Sequence, residues 1–104
     1  MMAAFLIVRA VVPETDRKKF DQWYQESHLP EALAAFDAVS AWRGWSHSDP
    51  AVHFAFYEFS SLLEATSISD SDAMKNMRTD FDRNWSDRIS RTREVVEIAQ
   101  KLQP

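Results

Sequence analysis

Two residues four apart, Tyr24 and His28 in FDQWYQESHLPEAL (residues 20–33), are the chain's strongest candidates for chemistry. Positions four apart share a helix face, so a phenol and an imidazole stand one turn from each other. An imidazole titrates near neutrality. It suits general acid–base work, such as taking a proton from a carbon beside a carbonyl or returning one. Tyr24, or Tyr57 in VHFAFYEF, can polarise an oxygen during that step. Arg9 and Arg43 carry planar forks that can hold a carboxylate. Trp23, Trp42 and Phe56 can wall an apolar or aromatic ligand. The plain alternative is that His28 caps the carbonyls of its own helix and moves no proton.

Pro30 follows this pair closely. Proline has no amide hydrogen, its ring collides with the carbonyl of Glu26, and it pushes Leu29 away from helical angles. The helix is therefore expected to stop near His28, with Pro30 opening a short second turn, PEALAAF. His28 would then sit at a helix C-terminus. Unpaired carbonyls and the dipole there favour an imidazolium, while burial disfavours one.

Other constellations are weaker. His47 and His53 flank SDPAV and would face each other across a hairpin symmetric about residue 50, with Asp49 nearby. A zinc or copper site is conceivable there, but loop histidines are commoner and no metal is expected. Ser46, His47 and Asp49 are triad-like only in composition. Arg9 interrupts an apolar strand and is expected to pair with a carboxylate, Glu58 being attractive. RNWSDRISRTRE, with four Arg beside Asp87 and Glu94, is expected to form a solvated rim. One glycine in the chain excludes glycine-rich phosphate loops.

The elements that position these residues follow from periodicity. AFLIVRAVV (4–12) is a β-branched run ending at Pro13, the first strand. Residues 13–36 hold a helix that Thr15 or Asp16 can cap, with Phe20, Trp23, Tyr24 and His28 on one face. AVSAWRGWSH and VHFAFYEF are strands two and three, joined by SDPA as a hairpin. A second helical region covers residues 60–85. Ser61 and Glu64 form a capping box, and a Ser/Asp-rich break at 67–72 splits the region. Met74, Met77, Arg78 and Phe81 form its inner stripe. RTREVVEIA is the fourth strand. The order β-α-β-β-α-β is the α+β, ferredoxin-like split βαβ with a four-stranded antiparallel sheet. Helices cover one sheet face, and the apolar residues of the other predict a homodimer packed sheet to sheet.

Bulk properties agree with one small domain. The chain has 104 residues, no cysteine and a net charge of −4. Residues 1–52 carry five Lys/Arg against seven Asp/Glu, and residues 53–104 seven against nine. With no basic region, binding to nucleic acid through phosphates is not expected. Disulfides and thiolate chemistry are excluded. The apolar start is too short to span a membrane and lacks the features of a signal peptide, so a cytoplasmic protein without a membrane partner is expected.

Element order together with the run Phe20-x-x-Trp23-Tyr24-x-x-x-His28-x-Pro30 resembles the dimeric α/β-barrel superfamily. Within it, the run looks most like the EthD-type and methylmuconolactone-methylisomerase-type branch, whose first helix ends in Tyr-x-x-x-His-x-Pro. The resemblance implies two four-stranded sheets forming a barrel between protomers, and a pocket in each protomer between sheet and helices. Relatives in the superfamily include isomerases and polyketide cyclases. The Asn, Trp and His set of its haem-degrading branch does not map onto this chain. The function expected is that of a small cofactor-free isomerase, cyclase or lyase that moves a proton on a carbonyl or lactone metabolite. His28, Tyr24 and Tyr57 would be catalytic, and Trp23, Arg9, Arg43, Trp42 and Phe56 would bind the ligand. The alternative is a non-catalytic ligand-binding or stress-associated dimer.

Overall fold

A computed structural model describes residues 2–104, save the side chain of Asp87. Strand β1 (Ala4–Val11) leads through a tight turn at Glu14–Asp16 into helix α1 (Arg17–Trp23). A π-helical turn (Tyr24–His28) passes directly into α2 (Leu29–Phe36). Strands β2 (Ser40–Trp45) and β3 (Val52–Phe59) follow, then helices α3 (Leu62–Ser69) and α4 (Asp72–Trp85), and strand β4 (Ser90–Glu97). The four strands form one antiparallel sheet in the order β2-β3-β1-β4. This is the α+β ferredoxin-like arrangement expected from the order of elements.

Period-two alternation decides which side chains meet the helices. Leu6, Val8, Ala10 and Val12 are buried, as are His53, Ala55, Tyr57 and Phe59. Leu6 pairs with Tyr57, Val8 with Ala55 and Ala10 with His53, so these residues share one face. The helical layer closes that face with Phe20, Tyr24, Ala32, Phe36, Met74, Phe81 and Trp85. Phe20 is fully buried, with its ring centroid 5.2–6.0 Å from Tyr24, Trp45, His53, Phe81 and Trp85. The core is therefore aromatic, and truncating Phe20 to alanine should cost about 3–5 kcal/mol.

The other sheet face carries Phe5, Ile7, Arg9, Trp42, Phe54 and Phe56. Trp42 stacks on Phe56 at 4.6 Å and meets Phe5 edge-on at 5.8 Å. Trp42 is half exposed, and Phe5, Ile7, Phe54 and Phe56 are only partly buried.

Several local expectations are corrected. Pro30 does not end the helix: Leu29 has φ −66° and ψ −47°, and the chain stays helical to Phe36. The π-turn removes the conflict. The Leu29 amide donates to the Tyr24 carbonyl, five residues back, and this wider turn eases the fit of the proline ring against the preceding turn. The helical run stops instead at Asp37, which adopts the left-handed conformation at φ 51°. Neither Thr15 nor Asp16 caps α1 through its side chain. The second helical region divides as expected, with Ser61 accepting from the Glu64 amide and Ser71 from the Met74 amide.

Candidate active site

The π-turn sets the site. It buries both of its ends, Tyr24 and His28, on the face that meets the sheet. Single π-turns inside α-helices recur at functional sites because they re-aim side chains that a regular helix would place elsewhere. His28 is only 6% exposed. Its ring stacks on Trp23 at 4.4 Å with a 21° tilt, and Tyr24 meets it edge-on at 4.9 Å. Its Nδ1 lies 3.4 Å from Asp80 Oδ2 on α4. An ionised carboxylate only accepts, so Nδ1 carries the proton and donates. Nε2 makes no hydrogen bond among the described residues, and its lone pair is left uncommitted.

Burial is the largest influence on His28, lowering its pKa to about 4. The hydrogen bond and charge of Asp80 oppose that shift, and Arg91 and Arg93 add to it. At neutral pH the ring is a neutral base. The expectation that His28 caps a helix C-terminus is corrected, because the helix does not end there.

Beside His28 lies a cavity of about 20 Å³, opening to about 310 Å³ once its mouth is included. Tyr24, Tyr57, Phe81, Arg91 and Arg93 line it, with Met74 and Met77 forming the wall from α4. The enclosed part has room for water but not for a metabolite. Burial raises the Tyr24 phenol to about 12, a shift that the neighbouring Tyr57 hydroxyl moderates. Burial also holds the Tyr57 phenol well above its ordinary value, and Tyr24 reinforces that. Both phenols therefore stay protonated and can serve as donors.

His28, Tyr24 and Tyr57 thus meet at one cavity, and Trp23 touches it through the His28 ring. Arg9, Trp42 and Phe56 do not reach it, because they project from the opposite sheet face. Arg9 stands beside Phe54 and Thr92, away from Glu58, which pairs with Phe5 and accepts from the Ser40 hydroxyl at 2.9 Å. Arg43 is engaged elsewhere. It donates to Asp21 at 2.8 Å and to His53 Nε2 at 3.2 Å, while Trp45 Nε1 also donates to Asp21 at 2.8 Å. Burial, then the Arg43 charge, lowers His53 to about 3. His53 therefore belongs to the core. It pairs with Trp45 across the hairpin, so it does not face His47. Ser46 and Asp49 are engaged in the hairpin turn. Among the described residues, no group of three or more His, Asp or Glu could hold a metal ion.

Three residues at the site escape a reading by type and spacing. Asp80 has no local cue, since its partner is 52 positions away. Arg91 and Arg93 both line the cavity; Arg91 is largely buried, against the expected solvated rim, whereas Arg93 is exposed in keeping with it. Their parity with buried Ile89 and half-buried Val95 is the signal that places them inward. Arg83 and Arg88 do lie on the surface, and the side chain of Asp87 is outside the described residues.

No protein-family model matches the chain, and no curated protein matches it. Solved structures do. An ethyl tert-butyl ether D (EthD) family protein from Bacillus halodurans superposes with a TM-score of 0.68 at 15% identity, over 89% of this chain and 97% of that one. The chain shares the fold of that EthD protein. SnoaB, a cofactor-independent oxygenase from Streptomyces nogalater, matches over the full length of both chains with a TM-score of 0.69 at 9% identity. A NIPSNAP family protein of unknown function from Agrobacterium tumefaciens gives 0.67 at 13% identity, over 93% and 89%. The fold expected from the strand order thus finds its counterpart in three dimensions. Among the described residues, no helix is long and apolar enough to cross a membrane.

Proposed function

We propose that the chain is a small cofactor-free enzyme in which His28 takes a proton from, and returns it to, a carbon beside a carbonyl. One observation carries this: a buried imidazole is held neutral, tethered through Nδ1 to Asp80, with Nε2 uncommitted beside a cavity lined by two protonated phenols. An enolate forming there would develop charge on its oxygen, and Tyr24 or Tyr57 would donate to it. Asp80 would stabilise the imidazolium that forms when His28 accepts the proton. Trp23 fixes the ring plane and offers its face to that cation.

A ligand has to widen the cavity. Met74, Met77 and Arg78 are its most yielding wall, since unbranched side chains swing aside at low cost. Isomerase, cyclase and lyase outcomes all share this proton-transfer step. Oxygenation without a cofactor, the activity of SnoaB, would be distinguished by oxygen consumption.

The uncovered sheet face supports assembly into a homodimer through Phe5, Ile7, Trp42, Phe54 and Phe56. Sedimentation of the protein and of Ile7→Glu checks this. A dimer that falls to monomer in the variant is expected.

The decisive test of function is hydrogen–deuterium exchange at the carbon beside the ketone of candidate substrates in heavy water. His28→Ala should abolish the exchange and leave circular dichroism unchanged. Unchanged exchange in the variant removes His28 from the chemistry. The alternative, a binding protein with the same cavity, would take up such ligands without exchanging them.

A further inference from the structure

Three guanidinium groups at the cavity are left without a role by proton transfer alone. Strand β4 sends Arg91 and Arg93 to the helix-facing side, where they stand opposite Ala10 and Val8. Both line the cavity with His28, Tyr24 and Tyr57, and Arg78 from α4 joins them. The whole chain is acidic, so this cationic surplus is local.

We propose that Arg91 and Arg93 form an anion subsite, so that the substrate of the His28 site bears a carboxylate close to its reacting carbonyl. The inference rests on the proton-transfer function proposed above. The Arg91 side chain is largely buried, 12% exposed. Its guanidinium lies 3.9 Å over the Phe81 ring and Nη1 donates to Asp82 at 3.1 Å, while Nε is buried with no partner. A buried donor left unmade is costly, and it points to an acceptor that arrives with the ligand. Arg93 makes no ion pair among the described residues and is exposed at the cavity, so it can meet an incoming anion first. Asp80, the carboxylate closest to His28, is already engaged by it and by Arg83 at 4.0 Å.

Edge strands also carry inward charges to prevent aggregation. Such a charge needs only to reach water, however, and that role gives no reason for the buried, unpartnered Nε of Arg91. Burial and the neighbouring Arg91 and Arg78 lower the Arg93 pKa, with Tyr24 and Asp82 opposing them. Arg91 and Arg93 in turn add to the burial that depresses His28. A carboxylate seated on them would lift that depression and make His28 a stronger base as the substrate binds.

The test uses α-ketobutyrate and its neutral counterpart butanone, followed through the His28 ring protons by NMR. Expected are saturable shifts with α-ketobutyrate, an upward movement of the His28 titration on binding, and no comparable effect of butanone. Arg93→Gln should weaken binding by about tenfold or more, whereas Arg93→Lys, which keeps the charge, should stay within a few-fold of the parent. Arg91→Gln is read alongside it, with circular dichroism as the check on folding. Equal binding of ketone and keto acid, indifference to Arg93→Gln, or no binding of α-ketobutyrate at tens of millimolar each overturns the subsite. Deuterium exchange on the same samples separates the two ideas. Bound keto acid that never exchanges defeats proton transfer alone, and exchange of butanone at an equal rate defeats the anion subsite alone.

Discussion

Nδ1 of His28 lies 3.4 Å from Oδ2 of Asp80, tying the π-turn of the first helical run to α4 across 52 positions of sequence. This pairing fixes the tautomer of a neutral imidazole and turns its other nitrogen into the base. It also opposes the burial that lowers His28 to about 4. Asp80→Asn removes the charge and keeps the shape. The His28 titration should then move further down, and any proton-transfer rate should fall about 10²-fold or more. NMR titration of the ring protons reads the first effect, and deuterium exchange the second. A titration midpoint that stays put in the variant would mean that Asp80 does not act on His28.

Much of the fold is legible in the sequence because strands with strict alternation have one register of burial. VHFAFYEF appears as written, and Ser71 caps α4 where the Ser/Asp break predicts a start. The first helical run misleads because the rule against proline in a helix assumes four-residue hydrogen bonding. One wider turn suspends that rule, and periodicity alone does not reveal it. Arg9 could not be assigned a face by composition, since both faces of β1 are apolar. In Arg91 strand parity outweighs charge and draws the side chain inward, whereas Arg93, at the same parity, stays exposed. Asp80 lies beside the inner stripe of α4, and its meaning is purely tertiary.

Acid should destabilise the fold in a defined window. His28 and His53 are depressed to about 4 and about 3 from an ordinary 6.5. Above about pH 6.5 both are neutral whether the chain is folded or not, and their burial is not penalised. As pH falls below 6.5 the unfolded chain takes up protons that the folded chain refuses, so stability drops until pH passes the folded values. Between pH 7 and pH 5 the two rings together should lose on the order of 3 kcal/mol. Urea midpoints across this range check the slope. His53→Phe should flatten it by about half, although the Arg43 bond to His53 is lost with it.

Met77 guards the cavity from α4 and is only partly buried. Met77→Ala should therefore cost less than the 2–5 kcal/mol typical of a fully buried methionine, about 1–2 kcal/mol. It should also enlarge the cavity. Keto acids with longer side chains should then bind better relative to α-ketobutyrate than they do to the parent protein. Fluorescence titration through Trp23, which stacks on His28, provides the measurement. An unchanged order of preference would show that ligands enter by another wall.

Ser86 turns the chain from α4 towards β4, the strand that carries Arg91 and Arg93. It does so at φ 55° and ψ −146°, a region open in practice to glycine alone. A Cβ at that angle is strained, and the side chain of Ser86 is exposed, so it contributes little packing in return. Ser86→Gly should relieve strain of about 1–3 kcal/mol and give back part of it through the greater freedom of the unfolded chain. A net gain of about 1 kcal/mol in urea unfolding, with the slope unchanged, is expected. Ser86→Ala keeps the Cβ and should gain nothing. Equal stabilities of the glycine and alanine variants would mean that the bend at Ser86 stores no strain.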